Sequence, residues 1–158
     1  DKNNLVLFLR TILSPEELIR IIKKYFIGTS EHWSGSTVFW QIDTQGKIRT
    51  GKIMLYDPVS GHRIKQPFNR IGWMHALLND PNYNLFQCLF GEHLLANSSG
   101  KVAIVESEKT AIIASAFMPE LIWLASGGVS NLNPNRCSCL QGRAVSYTHL
   151  TLPTIYSV

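Results

Sequence analysis

Glu106 stands immediately after the apolar run Val102–Val105 and immediately before a helix-compatible stretch over 107–117. A carboxylate at the carboxyl end of a buried strand lies where open parallel sheets place their ligands. Glu108 and Lys109 follow on the first helical turn, so a metal ion or a phosphate could be met by Glu106, backbone N–H groups and Lys109 together. The same residues also suit helix capping, with Glu106, Ser107 and Glu108 satisfying free N–H groups and the helix dipole, and spacing alone favours that reading. Gly127-Gly128 closes a second apolar run, 121–125, at the same predicted edge. Glycine there admits close approach of a ligand, although a plain turn into a helix needs it equally. Ser130, Asn131 and Asn133 divide in the same way between capping and binding.

A second group of candidates is basic. Lys47, Arg49, Lys52, His62, Arg63, Lys65 and Arg70 fall on a predicted hairpin and its following loop, with Trp40 and Tyr56 available for stacking. That combination can track phosphates and hold bases. Strand alternation sends neighbours to opposite faces, so only a subset shares one surface, Lys47 and Arg49 among them. A solvated hairpin face accounts for the basic residues equally well, while Phe39, Trp40, Trp73 and Trp123 read as core. His75 and His93 suit a helix surface or a packed position. Cys137-Ser138-Cys139 has no partner that would make it a metal site.

The elements that must position these groups are legible in outline. Ser14-Pro15-Glu16-Glu17 predicts a helix start, with Ser14 as cap, Pro15 at the first helical position and Glu17 completing a capping box. Leu18, Ile21, Ile22, Tyr25 and Phe26 recur at helical spacing, and Gly28 fits the stop. Stretches 37–43 and 48–56, joined by a loop containing Gly46, predict a β-hairpin. A turn over 57–61 leads to a short third strand over 62–65, and 73–78 predicts a short helix ended by Asn79-Asp80-Pro81. From Lys101 the pattern becomes strand, helix, strand, loop, then a helix opened by Asn133-Pro134 and running to Gly142. That order predicts an α/β fold with a parallel sheet: an α+β region over 1–99 and a parallel-sheet unit over 100–144.

Composition narrows the class. With 45% hydrophobic and 16% charged residues the chain of 158 belongs with folded proteins and not disordered ones. Its longest apolar runs fall far short of the roughly 20 residues that cross a bilayer. Asp1 to Arg10 lacks the features of a secretory signal, so a cytoplasmic location without membrane partners is expected. The net charge of +4 suits a polyanionic partner without requiring one, and three cysteines are too few for a disulfide framework. Asp1 reads as the cut end of a longer protein. From Val145 the run Val-Ser-Tyr-Thr-His-Leu-Thr-Leu-Pro-Thr resembles a translated sequencing adapter, so 145–158 is read as a non-native tail, with a natural Thr-rich strand as the alternative.

The run Val102-Ala103-Ile104-Val105-Glu106-Ser107-Glu108-Lys109-Thr110-Ala111 resembles the first motif of the Toprim domain, the metal-dependent catalytic fold of DnaG-type primases, topoisomerases and some nucleases. The Gly127-Gly128 pair agrees with it. The strand, the turn at Gly46, the second strand carrying Lys52 and then Leu89-Phe90-Gly91 are similar to the region preceding Toprim in DnaG-type and phage primases. Over most of Asp1 to Arg143 the chain resembles a family of Toprim-like proteins of bacterial mobile elements, whose FWQID, CLFGEHLL and VESEK blocks occur together.

The resemblance implies that Glu106 is the Toprim glutamate, a general acid or base and a ligand of Mg²⁺. It implies that Lys52, Lys109, Arg49, Gly127 and Gly128 contact phosphates or nucleic acid. The activity implied is Mg²⁺-dependent nucleotidyl transfer on DNA, in replication or mobilisation of a mobile element, in the intact protein. A DNA or RNA primer-template would be its partner, with a replicative helicase beside it and any zinc ribbon upstream of Asp1. Ser107 stands where a typical Toprim has glycine, Thr110 stands where primases have aspartate, and the Asp-x-Asp motif of the next strand is absent. Those departures keep two alternatives open: a non-catalytic nucleic-acid-binding module, or a Toprim-type nuclease.

Overall fold

The computed structural model describes residues 2–147. The chain opens with helix α1 (Asn4–Leu9), whose cap Asn3 accepts from the Val6 N–H at 3.2 Å. Asn3 is buried, donates to the Gly28 carbonyl at 2.9 Å and accepts from the Thr37 hydroxyl at 2.8 Å, so this one amide ties the first helix to two strands. Helix α2 (Pro15–Tyr25) starts as the sequence predicts, with the Ser14 hydroxyl accepting from the Glu17 N–H at 3.2 Å. Its Leu18, Ile21 and Tyr25 are buried. It ends sooner than Gly28: Phe26 takes the left-handed conformation, φ 50°, and closes the helix. Gly28 instead opens a strand. A Cβ there would lie 2.8 Å from Trp40 Nε1, so close packing and not helix termination requires the glycine.

Four strands form an antiparallel sheet in the order β1 (Gly28–Ser30), β2 (Ser36–Ile42), β3 (Ile48–Met54), β4 (Ile71–Trp73). The β2–β3 turn is held by Asp43, which accepts from the Gln45 and Lys47 N–H groups at 2.8 and 2.9 Å. The predicted strand over 62–65 is reduced to a single bridge between Tyr56 and Arg63. The edge position goes to β4, which leads directly into helix α3 (Met74–Leu78).

The second sheet is parallel in the order β6 (Ile122–Ala125), β5 (Val102–Val105), β7 (Val145–Tyr147), with helix α4 (Glu108–Phe117) crossing between β5 and β6. The fold is therefore α/β. Helix α5 (Pro134–Cys137) is shorter than its sequence pattern and passes into a 3₁₀ turn, Ser138–Leu140. Residues 145–147 of the segment read as an adapter-like tail form β7, paired with β5, and 148–158 lie outside the described residues.

Side chains of β5 and β6 alternate between two apolar clusters. Ala103, Val105, Trp123 and Ala125 join α1, α2, α4, Phe39 and Tyr56, whereas Val102, Ile104, Ile122 and Leu124 join Leu89, Leu95 and Leu140. The first cluster runs across residue 99, so the regions 1–99 and 100–144 share one core. Phe90 is its hinge point. It stacks on Tyr25 at 5.2 Å, meets the edge of Phe39 at 5.6 Å, and exchanges backbone hydrogen bonds with Ala125, each 3.0 Å. Among the described residues no helix is long and apolar enough to cross a membrane. Because Phe90 packs against both regions, Phe90→Ala is expected to lower unfolding free energy by about 3–5 kcal/mol. Denaturant melts followed by tryptophan fluorescence and by circular dichroism should remain coincident in the variant; separated transitions would show two independent cores.

Candidate site at the edge of the parallel sheet

Strand β5 delivers Glu106 to the carboxyl edge of the parallel sheet. Its neighbour β6 continues alongside it past the strand end: Ser126 N–H donates to the Val105 carbonyl at 3.0 Å and Gly127 N–H to the Glu106 carbonyl at 2.8 Å. The backbone of Glu106 is thus clamped while its side chain is exposed and makes no hydrogen bond or ion pair among the described residues. Of the helix-capping alternative, the acidic first turn is present in Glu108, without a capping hydrogen bond. Ser107 is the N-cap of α4 by position, yet no side chain caps that helix.

Glu108 has the opposite environment. It is 2% exposed, and both its oxygens face Lys52 of β3, with Nζ–Oε1 3.0 Å and Nζ–Oε2 3.3 Å. Lys52 Nζ also donates to the Gly127 carbonyl at 3.1 Å, so the ammonium directs its three donors to two segments of the parallel-sheet unit. Gly127 has φ 74°, and a Cβ on it would lie 2.9 Å from Glu108 Oε1 and 3.5 Å from Lys52 Nζ. The glycine is required by the ion pair itself. Gly128, φ 153°, completes the turn beside Asn131.

The structure therefore brings Glu106, Glu108, Lys52 and Gly127 to one edge, and gives most of them structural tasks. Lys109 Nζ donates to the Gly61 carbonyl at 2.6 Å and lies over the Phe8 and Tyr56 rings at 5.8 and 5.7 Å, where burial pushes its ammonium below the usual lysine range. It fastens the loop after β3 to the start of α4. Arg49 sits three residues from Lys52 on the opposite face of β3 and is engaged by Asp43, Nε–Oδ2 2.7 Å and Nη2–Oδ2 2.6 Å. Its guanidinium also covers the Phe86 ring at 5.1 Å. Tyr56 is 2% exposed and is not open to stacking, and Trp123 is core as expected, whereas Trp40 and Trp73 are half-buried.

The basic loop retains its character. Lys65 and His62 are exposed, Arg63 and Arg70 are half-buried, and none of the four forms an ion pair among the described residues. Arg70 is placed over Phe68 at 4.3 Å and Trp33 at 5.8 Å. Sequence spacing did not select Trp33 and Phe68, because they reach Arg70 only through tertiary packing. It also treated Glu108 as a capping residue. A lysine on the same face of β3 as the apolar Met54 was the available signal, since a buried ammonium needs a carboxylate opposite it.

Mg²⁺ takes oxygen donors and is commonly held by one or two carboxylates together with substrate phosphates and water. Glu106 meets that requirement as one ligand. Glu108 does not, because Lys52 occupies both its oxygens. No group of three His, Cys, Asp or Glu side chains converges into a metal cage among the described residues.

A family model described as a domain of unknown function, DUF6371, matches residues 3–148. No curated protein matches the chain.

Removing one partner of a buried ion pair leaves the other charged and unpaired, which costs about 3–5 kcal/mol. Lys52→Met should therefore destabilise the fold by that order in urea melts. Adding Glu108→Leu should recover most of the loss, because two apolar groups replace two charges. A double variant no more stable than the single one would show that the pair does not join the two sheets energetically.

Proposed function

We propose that this chain, which belongs to the DUF6371 family, acts on nucleic acid in the replication or mobilisation of a mobile element, with Glu106 as the reactive carboxylate of a Toprim-type nucleotidyl-transfer site. The observation that carries the reading is the contrast at the sheet edge: Glu106 is exposed and unpartnered on a clamped backbone, while Glu108 two residues later is buried against Lys52. An exposed carboxylate held in this way can accept the proton of an attacking hydroxyl. Lys52, Gly127 and Lys109 fix the position of the segment that bears it. When bound alongside nucleotide phosphates, Mg²⁺ would supply neutralisation of the developing negative charge.

Contact with a DNA or RNA primer-template falls to the loop bearing His62, Arg63, Lys65 and Arg70. Those cations lack carboxylate partners, and Phe68 and Trp33 lie beside Arg70, which suits a strand held by phosphate contacts and stacking. A cytoplasmic setting and a replicative helicase as companion accord with that activity. A non-catalytic nucleic-acid-binding module is the second reading, favoured by the single available carboxylate together with Ser107 and Thr110 at the positions where primases carry glycine and aspartate. Strand cleavage in place of nucleotide incorporation would identify the nuclease variant of the same site.

In an intact homologue, the change equivalent to Glu106→Gln is expected to lower Mg²⁺-dependent nucleotide incorporation on a primed single strand by about a hundredfold or more. Single-strand affinity of the variant, measured by fluorescence anisotropy, should stay within about twofold, since the phosphate contacts lie elsewhere. Incorporation unchanged by Glu106→Gln overturns the catalytic role. Absence of incorporation by an intact homologue, with binding that falls steeply with salt and ignores Mg²⁺, establishes the binding module in its place.

A further inference from the structure

Helix α3, Met-His-Ala-Leu-Leu, has the composition of a core helix and buries none of its residues. Leu77 is 45% and Leu78 63% exposed, and the loop that follows adds Leu85 at 46% and Phe86 at 56%. The contacts that fasten this segment to the antiparallel sheet are polar or aromatic. His75 Nδ1 and the Thr50 hydroxyl of β3 share a hydrogen bond at 2.8 Å, and the Tyr83 hydroxyl donates to the Arg49 carbonyl. The Arg49 guanidinium, 5.1 Å from the Phe86 ring centroid, holds that ring to the hairpin. Four large apolar side chains within ten residues are thus presented to solvent on an anchored segment. A patch of that kind marks an interaction surface.

Two open cavities flank Leu85, which lines both. One, of about 430 Å³, is walled by His75 and Ala76 of α3 with Asp80 and Tyr83, and no lysine or arginine lines it. The other, of about 250 Å³, is walled by Phe86, Gln87 and Arg136, and no carboxylate lines it. Neither Asp80 nor Arg136 forms an ion pair among the described residues. Asp80 is exposed and accepts from the Asn82 N–H at 2.9 Å through one oxygen. Arg136 is half-buried, with Nη1 enclosed and Nη2 donating to Gln87, so it acts on the groove as a fixed positive charge and not as a free donor. The surface therefore runs from negative through apolar to positive, with Leu85 at its middle. Rotation about a two-fold axis through Leu85 lays such a surface on its own copy with opposite charges facing and the apolar centres in contact.

We propose that this surface, formed by α3, the loop through Phe86 and the Arg136 wall, pairs two copies of the chain about a two-fold axis. Leu85 and Phe86 of each copy meet at the centre, and each copy's Asp80 faces the partner's Arg136. Such a contact is isologous, so it closes on a dimer and does not propagate into a filament. Neither Glu106 nor the loop from His62 to Arg70 contributes a residue to it, and both stay open in each copy. A different protein would have to reproduce both the apolar centre and the reversed order of charges. A second copy supplies them by symmetry.

Sedimentation velocity of the full chain over about 1–100 µM is the test, micromolar affinity being ordinary for a modest interface. The expected result is a monomer–dimer equilibrium with its midpoint in that range. Leu85→Asp places a carboxylate at the apolar centre and should weaken dimerisation by at least about tenfold. Asp80→Arg and Arg136→Asp, each alone, set like charges against each other at both ends of the contact and should weaken it by about the same factor. Mixed in equal amounts, those two variants should form a heterodimer, because each then meets its opposite. Arg136→Asp also breaks the link to Gln87, so its fold is checked by a thermal melt, while Leu85→Asp and Asp80→Arg change exposed side chains and carry the test if it fails to fold. Glu106→Gln should leave the midpoint unchanged, so failure of the catalytic reading and failure of this one are distinguishable. A chain that is monomeric throughout the range overturns the proposal. So does a dimer indifferent to both Leu85→Asp and Asp80→Arg, which assigns the contact to another face, and so do folded Asp80→Arg and Arg136→Asp chains that stay monomeric when mixed.

Discussion

The ion pair between Lys52 and Glu108 is the constraint around which the two sheets are arranged. Lys52 is directly opposite Phe39 on β2 and Trp73 on β4, so its side chain leaves the antiparallel sheet on the face that Phe39 commits to the core. Taking two charges out of water costs several kcal/mol for each ion, and only close geometry with every donor engaged offsets it. Here the ammonium has three acceptors within 3.3 Å, two from Glu108 and one from the Gly127 carbonyl. A pair satisfied so completely specifies one relative placement of β3, α4 and the turn after β6. A slip of one residue along β3 would move Lys52 to the other face and leave Glu108 buried without a partner.

That placement then decides the different fates of two carboxylates only two residues apart. Glu108 opens α4 and points at Lys52, while Glu106 precedes the helix, its carbonyl fastened to Gly127 N–H at 2.8 Å and its side chain in solvent. Lys109 fixes the same helix end from the other side through the Gly61 carbonyl. Gly61, at φ 66°, is confined by Phe8, which would lie 2.6 Å from a Cβ at that position. The segment carrying Glu106 is therefore held in place by contacts that do not involve the Glu106 side chain. A carboxylate on a fixed backbone, if it has the role proposed for Glu106, needs little reorganisation when a substrate arrives.

The α/β class, the hairpin, α2 with its Ser14 cap and the β5-α4-β6 unit were legible in the sequence because each is specified locally, by a cap, a turn residue or a periodicity. The parts that were not legible depend on distant contacts. Gly28 resembles a helix stop when read locally, but it is kept by Trp40 twelve residues on, and the helix closes earlier at Phe26. The stretch after the Gly61 turn has strand composition, yet the edge of the sheet is taken by Ile71–Trp73, leaving one bridge at Arg63. At the site, Glu106 was identified correctly as the residue at the strand end. Lys52, Lys109 and Arg49 were read as phosphate contacts from their places on the hairpin and the first helical turn and from the Toprim resemblance, and their carboxylate or carbonyl partners lie 56, 48 and 6 residues away in sequence.

Net charge is consequently a weaker guide to a polyanionic partner here than the distribution of partners among the cations. Arg20 is held by Glu17, Arg49 by Asp43 and Lys52 by Glu108, and Arg143 donates to the Leu95 and Ser98 carbonyls at 2.9 and 2.6 Å. These charges are engaged by acceptors of the protein itself and contribute less to the field that an approaching phosphate meets. Among the cations that form no ion pair in the described residues, those of the loop from His62 to Arg70 have an exposed phenylalanine beside a guanidinium, Phe68 with Arg70. A phosphate contact alone would not call for aromatic rings, and a purely apolar partner would not call for unpaired guanidinium groups. Their association in that loop suits the strand proposed to bind there, whose phosphates and planar bases alternate.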